Sequence, residues 1–493
     1  MNSLAILDWF VIAVYLLLML GIGWYYNSKN VTKDDYLLGG RRLSPLAAGI
    51  SLFATLLSTL SYLSYPGEMT KHGPAIFIGM LAFPLVYFVA GWWLIPKIRQ
   101  ANVTSAYEIL EHRLGVKVRV LATWMFLFLR FFWMATIVYV TVNIALRTVA
   151  PFAVDYVGMI SAIIILFTIV YTVLGGLKAV VVTDVVQACI FLGGALISIL
   201  VVVYHIGSFG ALFPAEWPDH WSSPKIGFDL HERSTFGNAL LMVFVWYIAT
   251  IGSDQMAIQR YIGTRDIKDA RKSLGVSMFT GFISETLLGF VGLAMLAYFT
   301  LYPSLLEERI EIGKQADKLF PRFILVGLPQ GLSGLLIAGL LAAAMSSLSS
   351  GLNAVSSVIA EDVIGRFRKR KVKDGLMLAK KLTLLSGAIV LILSFLIGYV
   401  PGNLYDVIMK VVNLLVCPLF VLFFLALFVP IATEWGTVIG GLTAICIAVA
   451  VAYFQVFGIT VLWISPTALG AGILMGIIAS IIERLISNTR SNS

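Results

Sequence analysis

The sequence predicts an all-α polytopic membrane protein of about thirteen membrane-crossing helices. Three observations carry this. Hydrophobic residues make up 59% of the 493 and charged residues 12%, whereas a soluble domain carries roughly 25% charged residues. The apolar residues fall in long runs: 9–26, 155–177, 185–204, 286–301, 383–400 and 436–464 hold at most one charge each. About 20 such residues cross the hydrocarbon core of a bilayer. Finally, Lys and Arg gather in alternate connections between the runs. Together these exclude a soluble enzyme, a nucleic-acid-binding module and a disulfide scaffold.

In chain order, the first span is expected near 7–26. Asp8 precedes it and Lys29 and Lys33 follow, so it lacks the basic leader of a signal peptide and is retained as a helix. The remaining spans are expected near 45–65, 74–96, 120–146, 153–174, 182–206, 235–254, 274–302, 324–358, 377–399, 402–428, 432–455 and 461–483. With the N-terminus outside, 25 of the 35 Lys and Arg fall in cytoplasmic segments and 8 outside. That asymmetry sets the orientation: N-terminus outside, C-terminus cytoplasmic. The net charge of +9 is therefore a topology signal and no nucleic-acid footprint. The run Arg366 to Lys371 reads as a lipid-facing anchor, with a regulatory partner as the alternative. The connection 207–234 reads as an outer lid or a plain connector.

Cys189, Cys417 and Cys446 lie in apolar spans without a CxxC partner, and the five histidines are isolated. Neither zinc nor disulfides are expected. No glycine loop for nucleotide phosphates occurs, which removes ATP-driven transport. No enzyme activity, soluble output module or obligate protein partner is expected.

Polar groups inside the membrane are costly and so point to function. The second span carries six hydroxyls in fourteen residues, at Ser51, Thr55, Ser58, Thr59, Ser61 and Ser64, and runs into Pro66-Gly67. Such hydroxyls can simply serve packing, but an interrupted helix also frees carbonyls for a cation. The ninth span places Ser346, Ser347, Ser349 and Ser350 on an arc of roughly 160°, next to Ala342, Ala343 and Ala344. Hard oxygens on a small-residue surface suit a hard cation. Asp184 in the sixth span, after Gly175-Gly176, supplies a charge or else caps a helix start.

These residues also carry a resemblance. GGLKAVVVTDVVQ at 175–187 and AGLLAAAMSSLSSGLNAVSS at 338–357 are similar to signature segments of the sodium:solute symporter family. YLLGG at 36–40, TSAYEILEHRLG at 104–115 and SDQMAIQRYIG at 253–263 fit it too. The resemblance implies a leucine-transporter-type fold: a ten-helix core of two inverted five-helix repeats. The corresponding division is an extra helix and loop at 1–44, a first repeat at 45–206, a connection at 207–234, a second repeat at 235–428, and two further helices with a tail at 429–493.

It further implies sodium ions as coupling ions. One would be bound by the carbonyls of Ala54, Leu57 and Ala343 and the hydroxyls of Ser346 and Ser347, a second by Asp184, Ser349 and Ser350. The solute site would lie among Ser58, Ser61, Tyr62, Phe77, Met80, Trp133, Tyr247 and Asn413. Sialic-acid-transporting members have an arginine at the position of Trp133 and a glutamine at that of Met80. Arg130, one turn earlier, either serves an anion from a shifted position or pairs with a carboxylate such as Glu285. Lys410 has no assigned role. The implied activity is sodium-coupled import of a small organic solute by alternating access. A sugar or sugar-derived solute is favoured over a monocarboxylate, sialic acid or a vitamin. Proton coupling, a channel and a transporter-like sensor are the rival readings.

Overall fold

The structure, a computed structural model, describes residues 4–101, 103–146, 156–233, 235–307, 310–365, 375–397 and 404–491. The basic run 366–371 lies outside them. The membrane helices are α1 (Ile6–Asn27), α2 (Pro45–Leu56), α3 (Thr59–His72), α4 (Pro74–Gln100), α5 (Val116–Val140), α6 (Val157–Ile206), α7 (Phe236–Ser253), α8 (Gln255–Ile262), α9 (Ile267–Leu301), α10 (Leu332–Val358), α11 (Gly375–Leu396), α12 (Leu404–Phe428), α13 (Glu434–Phe454) and α14 (Ile464–Ser491). Among the described residues, eleven helices are long and apolar enough to cross a membrane, and α2 with α3 forms a pair bent by 67°. The 50-residue α6 is broken at Gly176, whose φ of 57° and ψ of −161° are not helical, so it carries two crossings. The protein is a multi-pass membrane protein: with the bent pair taken as one span the described residues hold up to 12 candidate spans, against the thirteen expected, and the expected fifth and sixth spans are the two parts of α6 on either side of Gly176.

Each break has a local cause. Leu57 and Ser58 between α2 and α3 are extended, and Ser58 makes no side-chain cap. The interruption therefore sits ahead of Pro66, and α3 runs through that proline to His72. Asp254 between α7 and α8 is also extended, and its carboxylate accepts from the Met256 N–H at 2.9 Å, a side-chain cap that starts the next helix. The ninth span starts later than the sequence suggests. Residues Leu319–Val326 form a separate short helix, because Pro329 and Gly331 (φ 87°) turn the chain before α10.

Around the breaks the helices pack through small residues. A Cβ on Gly292 of α9 would lie 2.6 Å from the Pro66 carbonyl oxygen, so α9 and α3 meet backbone to backbone. Asp8 of α1 is buried, and its Oδ1 accepts from the backbone N–H groups of Gly331 at 2.7 Å and Gly334 at 2.8 Å. It thus satisfies free donors at the start of α10, where a negative charge is favoured. The connection 207–233 docks on the end of α3. The Trp221 indole donates to the Thr70 carbonyl at 2.9 Å, and Arg233 forms an ion pair with Glu68.

Candidate functional site

The break between α2 and α3 faces the middle of α10. Helix α10 is buried almost throughout, as its run of Gly, Ala and Ser requires for close approach. The Ser346 hydroxyl donates to the Ala54 carbonyl at 3.0 Å, with the Ala343 carbonyl at 3.2 Å. The Ser347 hydroxyl lies 3.1 Å from the Thr55 carbonyl oxygen and 3.3 Å from that of Leu57. The carbonyls of Ala54, Leu57 and Ala343 and the hydroxyls of Ser346 and Ser347 thus form one compact nest. It exists because the bend leaves carbonyls of α2 without intrahelical partners. A cluster of neutral hard oxygens at a helix interruption is the chemistry a small monovalent cation needs inside a membrane.

Beside it lies a charged cluster. Asp184 is fully buried, and its Oδ2 accepts from the Ser51 hydroxyl at 2.6 Å and from Ser350 at 3.4 Å. Arg260 from α8 enters the same cluster. Its Nη2 is 3.4 Å from Asp184 Oδ2, its Nε is 3.2 Å from the Ser51 hydroxyl, and it also donates to Ser350. Ser350 shares a further hydrogen bond with Thr55 at 2.9 Å. Ser349 instead donates to the Ser346 carbonyl at 3.1 Å, one step towards the neutral nest. Asp184 Oδ1 has no partner. A buried orphan oxygen is costly; of the two serines expected beside Asp184, Ser350 reaches its carboxylate and Ser349 is turned to the Ser346 carbonyl, while Arg260 supplies a positive charge at the same carboxylate.

Sequence reasoning missed Arg260. It fell within a motif but was counted among loop cations, whereas it is fully buried. Removing it leaves 24 of the 25 cytoplasmic Lys and Arg against 8, so the topology argument is unaffected. The available signal was its place in the segment Ile258-Gln259-Arg260-Tyr261-Ile262, at the end of a broken span.

On the other side of the break is a partly open cavity. It is lined by Phe53, Leu57, Ser61 and Tyr65 of the α2–α3 region and by Trp133 of α5. Trp246 and Tyr247 of α7, Glu285 of α9 and Met409 of α12 also line it. Of the expected solute residues, Ser61, Trp133 and Tyr247 line this cavity. Ser58 sits at the break with its hydroxyl buried and unpartnered. Tyr62 turns away and donates to the Phe191 carbonyl at 2.9 Å. Phe77 packs on Tyr65 with ring centroids 5.8 Å apart, and Met80 receives the Thr286 hydroxyl at 3.6 Å. Asn413 is buried, with its amide nitrogen 3.2 Å from Met409 sulfur and its oxygen unpartnered.

Arg130 does not line the cavity. Its guanidinium pairs with Asp254 at the α7–α8 break, and the two side chains are 5% and 1% exposed. The carboxylate it meets is therefore Asp254 and not Glu285. Glu285, Tyr65 and Trp246 were not proposed as wall residues from sequence. Glu285 alone had a signal, as an intramembrane carboxylate without a role.

The sequence model of the sodium:solute symporter family matches residues 36–444. The sodium/sialic acid symporter SiaT of Proteus mirabilis (strain HI4320) is 30% identical over 479 residues, covering 92% of this chain and 91% of that protein. The sodium-dependent multivitamin transporter of Oryctolagus cuniculus is 29% identical over 91% of this chain and 70% of its own. Sodium-coupled monocarboxylate transporter 1 of Homo sapiens is 26% identical over 89% and 72%. Among solved structures, a substrate-bound, outward-open Na+-coupled sialic acid symporter superposes with a TM-score of 0.84. It has 27% identity and covers 97% of this chain and 98% of that one. The nucleobase-cation-symport-1 transporter Mhp1, at 12% identity, gives a TM-score of 0.60 over 92% and 95% of the chains, a likeness of fold.

Proposed function

We proceed from the chain's membership of the sodium:solute symporter family and propose that its sodium-coupled transport runs through the nest and cavity just described. The coupling ions are sodium, as in the relatives. The observation that carries the residue assignment is Leu57. Its carbonyl accepts from Ser347 in the oxygen nest, while the residue also lines the cavity. Ion and solute therefore share one residue at the only point where α2 and α3 hinge.

In this reading the Ser346 and Ser347 hydroxyls keep their protons but turn them away from the carbonyls, and sodium is held by the two hydroxyl oxygens with the carbonyl oxygens of Ala54, Leu57 and Ala343. It bridges α10 to the broken helix and fixes the bend, which sets the wall formed by Leu57, Ser61 and Tyr65. Solute then binds a cavity already shaped by the ion. The coupling is reciprocal by thermodynamic necessity. A second sodium at Asp184 Oδ1, Ser349 and Ser350 doubles the electrical drive. One charge moved through 100 mV yields about 2.3 kcal/mol, worth roughly fifty-fold in accumulation, and two yield about 4.6 kcal/mol, near 10³-fold.

The solute is a small organic molecule. The ring-lined walls formed by Trp133, Trp246 and Tyr247 support a sugar-derived solute, since rings stack on the apolar face of a sugar. Sialic acid is the second reading, favoured by the 30% identity with a sialic acid symporter. The protein is read as a plasma-membrane importer with its N-terminus outside. Uptake of labelled solutes into proteoliposomes under sodium, potassium or proton gradients tests this. Sodium-specific, voltage-sensitive uptake that is lost in Ser347→Ala is expected. Uptake driven equally by a proton gradient would overturn it.

A further inference from the structure

The charge balance of the cavity wall has a direction. Glu285 is 6% exposed, lines the cavity, and forms no ion pair among the described residues. Its one hydrogen-bond partner there is the Tyr65 hydroxyl at 3.5 Å, a long contact. No Lys, Arg or His among the described residues lines the cavity. The nearest arginine along α5, Arg130, is engaged by Asp254. A buried carboxylate with so little compensation either takes up a proton or is completed by something cationic, and the walls of this space favour the second. Five aromatic side chains (Phe53, Tyr65, Trp133, Trp246 and Tyr247) form walls around the same space. Faces of this kind attract cations, and cages of them bind charged nitrogen centres.

We propose that the cavity selects solutes bearing a positively charged nitrogen, with Glu285 as counter-ion and Trp133, Trp246 and Tyr247 as the surrounding faces. This rests on the reading of the cavity as the solute site. An anion would meet Glu285 with no cation among the described lining residues to offset it, and a neutral solute would gain nothing from the carboxylate's charge. An amino sugar satisfies both the ring walls and the carboxylate.

The test uses the purified full chain, wild type and Glu285→Gln, in saturating sodium. Thermal shift and proteoliposome uptake are measured for choline, glycine betaine and glucosamine. Each is set against a match without the charged nitrogen: 3,3-dimethylbutanol, 3,3-dimethylbutyrate and glucose. N-acetylneuraminate is the anionic reference. At least one charged-nitrogen compound is expected to exceed its match at least tenfold in apparent affinity. That preference should fall at least tenfold in Glu285→Gln, while the sodium-induced thermal shift without solute is retained. Preference for a neutral or anionic probe that is unchanged in Glu285→Gln overturns the proposal, as does failure of every charged-nitrogen probe to exceed its match. Trp133→Ala separates the two readings. If it abolishes binding of the transported probe while Glu285→Gln does not, the cavity assignment stands and only the charge selectivity falls. If both variants bind that probe like wild type, the cavity assignment itself falls.

Discussion

Neutralising Asp254 while leaving Arg130 in place should destabilise the protein far more than it weakens transport. The guanidinium is 5% exposed and the carboxylate 1%, so Asp254→Asn strands a cation inside the bundle. Breaking such a pair costs about 3–5 kcal/mol, or roughly two to three and a half decades in the folded-to-unfolded ratio. The substitution keeps an oxygen for the Met256 N–H, now 2.9 Å from the carboxylate, so the start of α8 is preserved and the loss isolates the charge. Arg130→Gln combined with Asp254→Asn removes both charges and should recover most of the loss, a strong non-additivity between contacting residues. The assay is denaturant unfolding in mixed micelles of wild type, both single variants and the double variant. Arg130→Lys is added, with its solute KM measured in proteoliposomes. Wild-type stability of Asp254→Asn, together with a tenfold rise in KM for Arg130→Lys, would refute the reasoning. Arg130 would then hold solute rather than the helix break.

Ser346→Ala and Ser347→Ala should each weaken sodium activation of uptake at least tenfold with little change in fold, because each removes one oxygen of the nest and leaves nearly the same volume filled; sodium titrations of uptake check this. Asp184→Asn should lower the Hill slope for sodium, since it removes the only formal negative charge in the second donor set. It should also destabilise the chain by leaving Arg260 without its carboxylate, and slope and unfolding are read on the same preparation. Gly176→Ala should cost stability, because φ 57° with ψ −161° lies in a region essentially restricted to glycine, at about 1–3 kcal/mol. A Cβ there would also come within 2.7 Å of the Tyr36 ring, so the yield of folded protein and its melting temperature should both drop.

The spans were legible because apolar periods of membrane length have no other physical explanation. The serines of α10 and Asp184 were legible because polarity inside a bilayer needs a reason. The break at Leu57 was not placed by composition, since Pro66 is the stronger helix breaker in the string. What decides the position is packing of α2 against α10, where Ser346 and Ser347 satisfy the freed carbonyls, and that is a long-range contact. Arg130 and Trp133 illustrate the same gap. They lie on adjacent faces one turn apart, yet one joins Asp254 in the protein and the other lines the cavity. Which direction each side chain takes depends on partners more than a hundred residues away. Glu285 was visible as an intramembrane charge, but that no cation among the described residues lines the cavity with it is a fact of three dimensions.

The hold of Asp8 on the start of α10 makes the first helix a fixed mark for distance measurements. Through Gly331 and Gly334 it is tied to the helix that carries the serine hydroxyls, and Tyr15 adds a contact at 3.5 Å to the Met345 sulfur. A spin or fluorescent label on the exposed side of α1, at Leu17 or Leu18, therefore reports position relative to α10 rather than to the lipid. Paired with a second label on the far end of α3, it would turn the opening and closing of the hinge into a ruler with one end nailed down.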